Sequence, residues 1–225
     1  MKRISTKMKL LSLGLLGLGG IALAGSASAA CPTTPDAWSS TFSSPSSSSF
    51  AVVSGGLDGS ECKGVSTLGN SLSAVATVTD NSPSNEPSYR FQFLIDPTSL
   101  STLGLTDNVT VFRANSSSAA NGSQVLLKVN LTRGSSGAPV IRFIAACNTA
   151  PLYQCPQTSP VELSTTGPSR VGGYLKVGAA SAGSFEDWIN APAGPGPAPP
   201  STGETSGLDY AAWVGGGRAF MGQSP

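Results

Sequence analysis

The sequence predicts an all-β fold: two antiparallel sheets packed as a jelly-roll sandwich, with little helix. Three observations carry that expectation. Short runs of alternating apolar and polar residues recur along the chain, the period-2 signature of half-buried strands. Turn-forming clusters such as NSPSNEP, NSSSAANGS and RGSSGAP separate those runs. No segment shows a capped amphipathic helical stripe. Many short strands joined by polar turns bury their apolar faces as a sandwich or barrel.

The chain opens MKRISTKMKLLSLGLLGLGGIALAGSASAAC. A basic start, an apolar run and Ala27-Ser28-Ala29 before Cys31 make residues 1–30 an expected signal peptide, and the protein an expected secreted or periplasmic one. The leader holds four of the 13 basic residues and none of the 12 acidic ones, so nine basic residues remain for a net charge of −3. That balance gives no basic footprint for nucleic acid or for a membrane surface after leader removal. The remaining 195 residues suit one core.

Four cysteines follow the leader, Cys31, Cys62, Cys147 and Cys155. In an exported chain they suggest two disulfides, and the sequence-local pairing Cys31–Cys62 with Cys147–Cys155 is favoured among three. Zinc is a poor alternative, because the chain lacks histidine and the spacings are not paired C-x-x-C.

The stretch TFSSPSSSSFAVV at 41–53 reads as a tether by its serines and as a turn by its flanks. Phe42, Phe50, Val52 and Val53 favour the turn, so 43–49 is expected as a hairpin-like loop that tolerates substitution, with the domain starting near Cys31. Later strands are expected at 72–79, 89–96, 109–113, 124–132, 140–145, 161–164, 171–177 and 210–214. In 89–96 Tyr89, Phe91, Phe93 and Ile95 share one face; in 124–132 Val125, Leu127, Val129 and Leu131 do. SFEDWIN at 184–190 is the best candidate for a helical turn. The sandwich is expected over 31–190. APAGPGPAPPSTGETSG at 191–207 reads as an exposed Pro/Gly-rich loop, and 208–225 as a segment docking back on the sandwich.

WSSTF from Trp38, SFAVVSGGLDGSECKG from Ser49 and SYRFQFLID from Ser88, taken in order, carry a resemblance. The chain resembles uncharacterised exported bacterial proteins with a concanavalin A-like (laminin-G-like) β-sandwich, over roughly 36–146 and more loosely at 169–178 and at GRAFMG near the end. The resemblance implies a two-sheet jelly roll and carries no catalytic residue across. The cysteine-containing stretch 147–168 and the insert at 191–207 depart from it.

Chemistry is sparse. Without histidine, neither a Ser–His nor a Cys–His nucleophile pair exists. Ser60-Glu61-Cys62-Lys63 matches S-x-x-K but lacks the partner motifs. Glycosidases need two carboxylates facing the scissile bond, whereas the adjacent pair Glu186-Asp187 would point to opposite faces of a strand. The oxygen-rich run 80–86 lacks the regular calcium-loop pattern. No catalytic residue, metal or cofactor is therefore expected. For sugar stacking the candidates are Trp188 with Asp187, and Trp213 with Tyr210, each beside polar neighbours and flanking the Pro/Gly segment; the competing reading makes both tryptophans core. The expectation is a non-enzymatic binding module with a polysaccharide or cell-surface component as partner. Its rivals are a structural or adhesive protein and a divergent glycosidase.

Overall fold

The computed structural model describes residues 31, 38–57, 61–71, 73–82, 84–97, 107–116, 125–147, 160–190, 203–213 and 215–224. The expected leader lies outside them, as do Cys155 and residues 191–202. The strands are β1 (Ser40–Ser44), β2 (Ser49–Ser54), β3 (Cys62–Thr67), β4 (Val75–Asp80), β5 (Ser88–Ile95), β6 (Asn108–Ser116) and β7 (Val125–Arg133). They continue with β8 (Pro139–Ala145), β9 (Val161–Glu162), β10 (Ser169–Lys176), β11 (Gly183–Ile189), β12 (Gly203–Leu208) and β13 (Gly216–Ser224).

The described residues are all-β and contain no helix. Three antiparallel sheets replace the expected two: seven strands in the order β1-β4-β13-β6-β7-β8-β9, four in the order β12-β11-β10-β5, and the hairpin β2-β3. Alternation places Leu127, Val129 and Leu131 of β7 opposite Ala145, Phe143 and Ile141 of β8. This apolar face meets Phe91, Val171, Leu175 and Phe185 of the four-stranded sheet in one buried cluster. Phe91 stacks on Phe112 at 4.2 Å between centroids, joining the sheets. Gly173 makes room for that contact, since a Cβ there would lie 2.7 Å from the Phe91 ring and 2.9 Å from that of Phe185.

Four local expectations need correction. All but the last residue of the run 184–190 belongs to strand β11, because Phe185, Asp187 and Ile189 alternate inward against Leu175, Gly173 and Val171. The expected loop 191–207 ends in strand, since its last five residues begin β12 and extend the edge of β11. The C-terminal residues do not dock from outside: β13 is an inner strand, paired with β4 on one side and β6 on the other. Of the strand expected over 210–214, residues 210–213 form a turn, with Trp213 N–H donating to the Tyr210 carbonyl at 2.9 Å.

The serine-rich stretch also differs from a hairpin loop. β1 pairs with β4 while β2 pairs with β3, so the turn at 45–48 carries the chain from one sheet to another. Ser48 is buried within it. Its hydroxyl donates to the Ser44 carbonyl at 3.0 Å and accepts from Gly69 N–H at 3.0 Å. Ser48→Ala is therefore expected to cost about 1–2 kcal/mol, the scale of a lost hydrogen bond that strands a partner. Exposed Ser46→Ala should cost almost nothing. Denaturant midpoints check this, and equal midpoints would mean that the turn is not anchored.

Candidate functional site

Asp187, Trp188, Tyr210 and Trp213, the residues expected to present a sugar-binding surface, are 1, 3, 1 and 5% exposed. Neither indole offers a face to solvent. Tyr210 and Trp213 pack edge to face at 6.0 Å within the core cluster. Trp188 lies opposite Gly172, with the Arg90 guanidinium 5.5 Å from its ring centre. Their polar neighbours misled the sequence reading: the Asp209 carboxylate accepts from Ala180 and Ala211 N–H groups and closes a turn. Cys31 and Cys62 form a disulfide. Cys147 is also disulfide-bonded.

Asp187 points inward from β11. Neither carboxylate oxygen has a hydrogen-bond partner, and burial raises its pKa to about 6. Gly203 of β12 closes over it, for a Cβ there would sit 2.6 Å from Oδ1. This carboxylate is sealed away from any substrate.

The polar chemistry instead gathers on the outer face of the seven-stranded sheet. Register sets Phe220, Arg113 and Lys128 side by side on β13, β6 and β7. The neighbouring row holds Thr110, Asn130 and Arg142 on β6, β7 and β8. Inward-facing Phe112 and Val129 lie between these rows, so alternation turns all six out together. Arg142 is exposed, Lys128 and Arg113 are half-buried, and Asn130 and Thr110 are buried.

Arg113 is the unusual member. Its guanidinium carbon lies 4.3 Å from the centre of the Phe220 ring, its Nε has no hydrogen-bond partner, and burial lowers its pKa. A cation held without a carboxylate in partial burial is primed for an anionic ligand. Asn130 Oδ1 accepts from the Thr110 hydroxyl at 3.0 Å, which fixes the amide and turns its NH2 away as a donor. Beside Arg113 an open cavity of about 230 Å³ is lined by Phe42, Thr77, Thr110 and Phe220. Phe42 is 58% exposed and forms its aromatic rim. From β1 to β8 the face runs across six strands, about 24 Å at the usual strand spacing.

None of this cluster appeared among the expected site residues. Arg113, Lys128 and Arg142 lie far apart in sequence, and only the β6-β7-β8 register assembles them. The usable signal was one outward cation on each of three consecutive strands.

No protein-family model matches the chain, and no curated protein matches it. Among solved structures the fold is similar to that of an endo-β-1,4-glucuronan lyase from the fungus Trichoderma reesei. The likeness has a TM-score of 0.57 and 11% identity, covering 86% of this chain and 82% of the other. It places the chain among β-sandwiches of jelly-roll type. It also overturns the expectation of a non-enzymatic binder, because an enzyme that acts on a polysaccharide is built on this fold across most of both chains.

Proposed function

We propose that the protein cleaves an acidic polysaccharide by β-elimination, with the polymer lying across the outer face of the seven-stranded sheet. The observation that carries this reading is the cluster of Arg113, Lys128 and Arg142 with Asn130, beside a cavity rimmed by Phe42 and Phe220. Cations and an amide donor suit a uronate carboxylate, and the aromatic rings suit the apolar faces of sugar rings. The similar fold of the glucuronan lyase supports the same substrate class.

Elimination also removes the objection that excluded an enzyme. Hydrolysis of a glycoside calls for two opposed carboxylates. Elimination needs neither these nor histidine. It requires neutralisation of the uronate carboxylate, so that the carbon beside it releases a proton, and a base to take that proton. In the proposed step Arg113 and Asn130 hold the carboxylate. Lys128, a cation when the polymer binds, gives its own proton to solvent and, as the free amine, takes the proton from the adjacent carbon. The freed electron pair becomes a ring double bond, the bond to the β-oxygen breaks, and that oxygen leaves with a proton from solvent. Removal of an expected leader at 1–30 would put this activity outside the cytoplasm, where such polymers are met.

Incubation with β-1,4-glucuronan and other polyuronates, followed by ultraviolet absorbance of unsaturated chain ends, tests the reading. The expected result is a rising signal with polyuronates and none with neutral glucans. Reducing ends without unsaturation, or no product from any polyuronate, would overturn it.

A further inference from the structure

On the opposite side of the seven-stranded sheet, the inner layer is interrupted. β5 ends the four-stranded sheet and β3 belongs to the hairpin, and neither strand has a second strand neighbour among the described residues. A cavity of about 470 Å³ lies between them. Its walls are four consecutive residues at 93–96 and five at 62–66. Successive side chains of a strand point to opposite faces, so a wall of consecutive residues is a strand's backbone edge. The floor is apolar, made by Val111, Leu131 and Met221.

We infer that this slot accepts an extended peptide segment from a partner protein, which pairs as a β-strand with the free edge of β5 and covers the apolar floor. The edges choose the occupant. A small apolar molecule would fill the floor and leave the outward backbone groups of 93–95 and 63–66 unanswered, whereas a strand satisfies them. β5 also lacks the usual protections of an edge: its eight residues SYRFQFLI contain no proline and a single charge, Arg90. β3 brings Lys63 and Val65 to the other wall. The favoured segment therefore alternates, with apolar side chains toward Val111, Leu131 and Met221 and polar ones outward. This inference is independent of the elimination chemistry, which uses the other face of the same sheet.

The test adds a capped peptide of about seven alternating Val and Thr residues, a usual strand length, to the full chain and follows backbone amide exchange. The same peptide with alternate N-methyl groups, which cannot complete a ladder, is the control. The expected result is slowing by about tenfold or more at edge amides within 89–95 and 63–66, by the plain peptide alone. Three outcomes would overturn the inference: no slowing, equal slowing by both peptides, or slowing by decanoate with none by the plain peptide, which marks a small-molecule pocket.

Discussion

Asp187→Asn is expected to raise stability by about 2 kcal/mol at pH 8 relative to its effect at pH 4. The carboxyl group is 1% exposed, both its oxygens lack partners, and burial raises its pKa from 3.8 to about 6. The folded chain therefore holds this proton more tightly than the unfolded chain does. Below the unfolded value the group is neutral in both states and costs nothing by titration. As pH rises from 3.8 towards 6 the unfolded state ionises first, and stability falls. Above about 6 the deficit is complete and flat, roughly two units at about 1.4 kcal/mol each. Asparagine keeps the shape and does not ionise, so the variant lacks this term. Taking wild type minus variant at each pH cancels the titration of all other groups, and urea melts at pH 4 and pH 8 supply the four numbers. A difference that stays constant with pH would mean that water or a cation reaches the carboxylate.

Asp187 also shows where sequence reasoning works and where it stops. Alternation alone identified the inward faces of β5 and β7, because burial of Phe91, Phe93, Val129 and Leu131 is a local consequence of the two-residue period. The same reasoning failed on SFEDWIN. Phe185, Asp187 and Ile189 form an inward series only if a carboxylate is allowed in the core. Burial of an unpartnered carboxylate breaks the rule by which polar residues are assigned outward. Two sheets became three for another reason: the Ser66 hydroxyl donates to the Ala76 carbonyl at 2.8 Å and holds the hairpin on β4. A side-chain bond between strands ten residues apart leaves no periodic trace.

Net charge misled in the same way. A net charge of −3 over the chain after its expected leader gave no hint of a cationic face. A sum says nothing about which strands become neighbours, and the pairing of Arg113 with Lys128 and of Asn130 with Arg142 is decided by a register fixed through the opposite, apolar face. The packing of Phe112, Val129 and Phe143 in the core thus positions the polar residues outside it.

Arg113→Ala is expected to lower kcat on a polyuronate by about a hundredfold to a thousandfold, the usual cost of removing one group that stabilises developing charge. The guanidinium would meet the carboxylate most strongly as negative charge spreads onto it during proton removal, so kcat should fall more than KM rises. Loss of the arginine also uncovers the Phe220 ring, so a far-ultraviolet spectrum and a melt must show that the fold persists. Lys128→Arg separates charge from basicity. Arginine preserves the cation but does not give up its proton, so binding of the polymer should survive, while formation of unsaturated ends falls by about a hundredfold or more, the range for a lost general base. Equal turnover by Lys128→Arg and wild type would move the base to another residue and leave Arg113 as carboxylate holder. Unchanged turnover by both variants would remove the reaction from this face altogether, since no other part of the described structure sets a half-buried guanidinium with an unpartnered Nε, a fixed amide donor and the rings of Phe42 and Phe220 beside one another.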